Sequence, residues 1–167
     1  MSMLNQYSTH FTDFIKVGID GYINKWNIKN ESSEANDISF LNSVISQLKS
    51  FSNVDSENIT LLGSSNGAAL VIKALLELPE NSFKNGIFIA AQLINDQYRD
   101  SKFWANEFPS REYTSEIILP ERNKIISFHG TEDSVINYNG GINLNHNGID
   151  WLNRMFHSAI DSNYFFA

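Results

Sequence analysis

Asn58-Ile-Thr-Leu-Leu-Gly-Ser-Ser-Asn-Gly-Ala-Ala-Leu70 passes from β-branched and aliphatic residues, through glycine and serine, into a small and apolar segment. Ile59 to Leu62 reads as a buried strand. Gly67 to Leu78, stopping before Pro79, reads as a helix, and Gly86 to Ala91 as a second buried strand. Strand, helix and strand in that order form the βαβ unit of a parallel sheet, which places the chain in the α/β class.

Gly63-Ser64-Ser65-Asn66-Gly67 fits G-x-S-x-G at the junction of that strand and helix, the setting in which the pattern marks a nucleophile elbow. A serine raised on a sharp turn crowds the residues two positions away, so Gly63 and Gly67 are expected to form the elbow around Ser65. Its hydroxyl would stand at the positive end of the helix dipole, with the backbone N–H of Asn66 facing any oxyanion formed beside it. The competing reading is a glycine and serine pair that simply caps a helix.

Serine is a poor nucleophile until a base takes its proton, and in this fold the acid and then the base follow the serine along the chain. Lys124 to Phe128 reads as another short buried strand, followed by His129-Gly-Thr-Glu-Asp133. A loop there leaves the carboxyl edge of the sheet and would bring Asp133, as orienting acid, to the rim that carries Ser65. Glu132 competes for that role, and a solvated turn over Thr131 to Ser134 is the alternative. His129 precedes the acid and is out of order for the base.

Around this centre, Phe14 to Ile19 reads as a strand that ends at the turn-forming pair Asp20-Gly21. Ile38, Leu41, Val44, Ile45 and Leu48 recur at three- and four-residue steps, the mark of an amphipathic helix from Ser33. Ser32 or Ser33 would cap it, with Glu34 and Asp37 near its positive end. Residues 95–122 show little period and are expected to be irregular, with a short helix near Phe103-Trp104. A final helix is expected from about Ile149 to Phe166, with Ile149, Leu152, Phe156, Ala159 and Ile160 as its apolar stripe.

Composition sets limits on partners. The 167 residues, 42% hydrophobic and 13% aromatic, suit one compact domain. Twelve basic against nineteen acidic residues give a net charge of −7, so neither nucleic acid nor an anionic membrane surface is an expected partner. No segment is apolar for long enough to cross a bilayer, and no export signal is read at the amino end. Cysteine is absent and the four histidines lack ligand spacing, so no metal is expected. Gly63 to Gly67 has neither the dinucleotide-binding spacing nor a P-loop lysine, so no cofactor is expected.

Four blocks together resemble the polyhydroxybutyrate depolymerase and feruloyl esterase branch of the α/β-hydrolases: Asp20 to Asn27, Ala35 to Leu41, Gly63 to Ala69, and His129 to Gly141. They occur in the family's order and span the chain from about Phe14 to the last helix. The resemblance implies a mostly parallel sheet flanked by helices, with Ser65 as nucleophile, Asp133 as triad acid and the Asn66 backbone as an oxyanion donor. It implies a small-molecule or polymeric ester as substrate, and secretion if an amino-terminal part precedes this sequence.

The resemblance also implies parts that this sequence does not supply. The family's oxyanion loop would lie upstream of Met1 and its catalytic histidine beyond Ala167, so the chain is expected to be a piece of a hydrolase domain. An upstream strand would also be missing from the sheet centre, leaving a gap that rearrangement, a complementing chain or a homo-oligomer would fill. His146 and His157 are the histidines that follow Asp133. The rival function is a non-catalytic domain whose cleft binds an ester, acyl or glycan ligand, or a partner subunit, without turnover.

Overall fold

The computed structural model describes residues 10, 12–29, 31–119, 124–142 and 155–166. Strands β1 (Thr60–Ser64), β2 (Asn85–Ile89) and β6 (Lys124–Phe128) form a parallel sheet in the order β1-β2-β6. Ser64 pairs with Ile89 and Ile89 with Phe128, so all three carboxyl ends meet at one rim. Helix α2 (Asn66–Glu77) is the crossover between β1 and β2. The expected βαβ unit is therefore present, in a mixed α/β fold with a small parallel sheet.

Helix α2 is apolar nearly all round, and such a helix belongs inside. Ala68, Val71, Ile72 and Leu75 are buried. One side lies on the sheet, over Gly86, where even a Cβ would meet Val71 at 3.4 Å and Leu75 at 3.6 Å, ordinary contact distances. Leu41 and Ile45 of α1 (Asp37–Lys49) join the same core. Phe166 of α3 (Ala159–Phe166) reaches Phe88 on β2, ring centres 6.3 Å apart.

The opposite face of the sheet has no such cover. Leu62, Ile87 and Ile126 are aligned across the three strands on that face. Leu62 is 40% exposed, Ile126 50% and Phe128 56%. Parallel sheets ordinarily bury both faces. This one buries its helix face alone among the described residues.

Phe14 to Ile19 is not a strand. The segment joins no β-ladder, and Phe14, Ile15 and Val17 are exposed, while only Ile19 packs against the core. An apolar run becomes a strand only where other strands pair along it, and among the described residues this segment joins no sheet. Among the described residues the three strands are contiguous and β1 pairs on one side only, with β2.

Helix α1 begins at Asp37, later than expected. Asn36, not Ser32 or Ser33, is the cap, accepting a hydrogen bond from Ser39 N–H at 3.0 Å. Ser33 is instead buried in the preceding turn.

Residues 98–117 are not irregular, and no helix forms at Phe103-Trp104. They make an antiparallel sheet of β3 (Tyr98–Arg99), β4 (Lys102–Asn106) and β5 (Tyr113–Ile117). Tyr98 and Phe103 face each other edge-on at 4.8 Å, and Phe103 stacks on Phe166.

The last helix is shorter than the pattern implied. Ile149 and Leu152 lie outside the described residues. Phe156 belongs to a two-residue strand, β8 (Met155–Phe156), paired with β7 (Gly141–Ile142). Ser158 accepts from Asp161 N–H at 2.9 Å and so starts α3. Ile160 of the expected stripe is exposed, and Phe165 and Phe166 do the packing. No helix among the described residues is long and apolar enough to cross a membrane.

The two faces of the sheet give opposite expectations for one substitution. Phe88 is fully buried and Phe128 is more than half exposed. Phe88→Ala should cost about 3–5 kcal/mol of unfolding free energy. Phe128→Ala should cost under about 1 kcal/mol. Urea unfolding of both variants measures the contrast.

Candidate active site

Ser65 sits between the last residue of β1 and the first of α2 with φ 52° and ψ −124°. A side chain in that region costs on the order of 1–3 kcal/mol and persists only where the surroundings enforce it. Here they do. Ser65 N–H donates to Ile89 C=O at 2.9 Å, which ties the turn to β2, and Ser65 C=O accepts from Ala69 N–H at 3.0 Å, which starts the helix. A serine that merely capped α2 would have an extended backbone and would accept a first-turn N–H through its hydroxyl. Ser65 does neither and is exposed.

The glycines of the elbow have unequal roles. A Cβ at Gly63 would lie 2.2 Å from the Gly67 carbonyl oxygen and 2.6 Å from Ala68 N, so the chain can double back only over a glycine there. A Cβ at Gly67 would meet only the Trp26 indole, no nearer than an ordinary 3.7 Å. The expected steric demand on both positions thus holds for Gly63 alone.

Asn66 begins α2, so its backbone N–H is one of the first-turn donors without an intrahelical partner. Its side chain has a second task that the motif did not announce. Oδ1 accepts from Trp26 N–H at 2.7 Å while Nδ2 donates to Trp26 C=O at 3.1 Å. This two-way clamp holds the Trp26–Ile28 segment beside the serine. Ser65, Asn66, Ile28, Ile136 and Phe156 border a hollow of about 20 Å³, room for roughly one water.

Asp133 follows β6 on the same rim as Ser65, as the parallel order requires. Its Oδ1 accepts from Val135 N–H at 2.8 Å and Ile136 N–H at 2.9 Å, so this carboxylate shapes the loop that brings Ile136 to the serine's hollow. Glu132 is exposed. Asp133 and Ser65 share the rim without a hydrogen bond between them; a third group would have to bridge them.

Neither His129 nor His157 makes a hydrogen bond to Ser65. His129 donates from Nε2 to Ile136 C=O at 2.8 Å, with Asp133 Oδ2 farther off at 3.7 Å and its Nδ1 buried without a partner. His157 lies between β8 and α3 rather than on the helix. Its Nε2 donates to Tyr98 C=O at 2.8 Å, and its ring lies edge-on to Tyr98 and Phe165. Both Nε2 atoms are therefore committed as donors. His146 lies outside the described residues.

A second polar cluster lies farther along the same face of α2, at helical spacing from Asn66 and Ala69. Lys73 and Glu77 form an ion pair at 2.6 Å with both side chains 7% exposed. The Asn106 N–H also donates to Glu77, at 3.2 Å, and Lys73 lies over the Tyr113 ring. Buried Asp37 accepts from Asn27 N–H at 2.5 Å. Burial pushes the Asp37 and Glu77 carboxyls up and the Lys73 ammonium down, and Lys73 and the nearby N–H donors offset the rise only in part. The signal was present in the sequence: one lysine and one glutamate, four apart, inside an otherwise apolar helix.

Two tests follow. Gly63→Ala should lose about 3 kcal/mol or more of stability, because backbone blocks its Cβ, whereas Gly67→Ala should remain within about 1 kcal/mol of the parent. Denaturant midpoints read both. A raised Asp37 carboxyl means that the folded chain binds this proton more tightly than the unfolded chain. Its contribution is fully present below the unfolded value near 4 and is lost as pH rises through the raised folded value. The stability of the parent relative to Asp37→Asn should therefore grow as pH falls from about 7 towards 4. Among known proteins, no family model, no curated protein and no solved structure matches this sequence, so the elbow's own geometry is the ground for a functional reading.

Proposed function

We propose that the chain carries the nucleophile and acid of a carboxylic ester hydrolase of the α/β-hydrolase type, of the polyhydroxyalkanoate depolymerase or feruloyl esterase kind. The observation that carries this reading is the backbone of Ser65, a non-glycine residue held at φ 52° between a parallel strand and its crossover helix. Ser65 Oγ attacks the ester carbonyl as its proton passes to a base, and the Asn66 backbone N–H faces the oxyanion. Collapse expels the alcohol, which takes up a proton, and leaves an acyl group on Ser65 that water then hydrolyses. Asp133 orients the base.

A second reading has its own support. His129 and His157 both spend Nε2–H on backbone carbonyls, and neither hydrogen-bonds to Ser65. Without the base, a triad site keeps about 10³–10⁴-fold over water from its oxyanion hole and binding alone. On this reading the chain is an impaired hydrolase or a binding domain, completed where needed by another chain or another copy of itself.

Labelling with a fluorophosphonate, read by intact mass, separates the two when it is paired with hydrolysis of p-nitrophenyl acetate. The hydrolase reading expects one label per chain and turnover above background, both lost in Ser65→Ala. Labelling without turnover favours the impaired site. Absence of labelling in the parent, or its persistence in Ser65→Ala, removes Ser65 from the role.

A further inference from the structure

We infer that the polar chamber between α1, α2 and the β4–β5 loop is a binding site for a neutral, hydroxyl-rich ligand, a mono- or disaccharide. The chamber measures about 330 Å³, at the lower end of the range for small-molecule sites, against about 20 Å³ for the hollow beside Ser65. Ile28 borders both, so the chamber adjoins that hollow but is lined by a different set of polar groups.

The chemistry of its wall selects the ligand class. Two carboxylates, Asp37 and Glu77, are balanced by two cations, Lys73 and Arg111. An anionic ligand meets the carboxylates and a cationic one meets Lys73 and Arg111, so neither gains net charge complementarity. An apolar ligand would dehydrate the amides of Asn42 and Asn106 without returning their hydrogen bonds. Hydroxyl groups both donate and accept, and they suit a wall on which carboxylate, amide and cation are interspersed.

A further observation points the same way. Phe108 stands at the mouth and is more than half exposed, an aromatic face suited to the C–H face of a sugar ring. The buried Lys73–Glu77 pair is costly to desolvate, and apolar replacements of such pairs are often neutral or stabilising. A ligand site accounts for a polar wall here better than packing does.

The test is a titration of the ¹⁵N-labelled chain with glucose, xylose and cellobiose, each up to about 50 mM, with glucuronate, inorganic phosphate and putrescine as charged probes. The expected result is saturable binding of at least one neutral saccharide, with amide shifts at Asn42, Asn106 and Phe108. Phe108→Ala and Asn42→Ala, both at positions accessible to solvent, should weaken it about tenfold or more without lowering the denaturation midpoint. Failure of all three sugars to saturate, binding of the charged probes alone, or saccharide affinity unchanged in both variants overturns the inference.

Discussion

The close approach of Gly63 to the first turn of α2 is the contact from which the rest of the site follows. With its Cα against the Gly67 carbonyl, the chain reverses within two residues, and only Ser65 is left to absorb the change of direction, at φ 52°. Because β1, β2 and β6 are parallel, the reversal happens at the rim where β6 delivers its loop. Strand pairing does the rest. Ser65 N–H bonds to Ile89 C=O, and Ala90 N–H bonds to Phe128 C=O at 2.8 Å, so the three strand ends are laced together next to the serine.

That lacing carries a cost, and the cost is informative. A strained serine and a buried Lys73–Glu77 pair sit near the two ends of one helix, in a chain whose total stability is expected to be on the order of 5–15 kcal/mol. Either could be relieved by a small change, glycine at 65 or an apolar pair at 73 and 77. Helix α2 can hold both because its other sides are packed by the parallel sheet, β4 and α1. Rigidity from the core is what allows the polar ends to stay in demanding geometries.

What was legible in the sequence divides along the range of the interactions. β1, α2, β2 and β6 were readable because each is specified by its own periodicity, and the turn at Ser65 because a steric demand falls on Gly63, two positions before it. The antiparallel sheet was not. Its first hairpin turns on Asp100 and Ser101, both at positive φ (53° and 59°), where the usual signal is a glycine. Phe14 to Ile19 failed in the other direction: its composition suits a strand, but pairing is a long-range matter that composition does not encode. The Asn66 clamp on Trp26 spans forty residues of sequence and is invisible to a motif.

The bare face of the sheet bears on both functional readings. Apolar side chains at Leu62, Ile126 and Phe128 remain in water although the backbone has adopted the parallel arrangement that proteins normally cover on both sides. Among the described residues, the fold that Ser65 depends on is thus held from one side only, by α2 and what packs behind it. A group that settled on the open face would bury apolar area at about 25 cal/mol per Å² and would brace the strand ends that support the serine turn. Geometry at the rim and cover on the face are therefore linked through the same three strands. The elbow is formed without that cover because its bonds lie along the sheet, in the ladder from Ser65 to Ile89 and from Ala90 to Phe128, rather than across its faces.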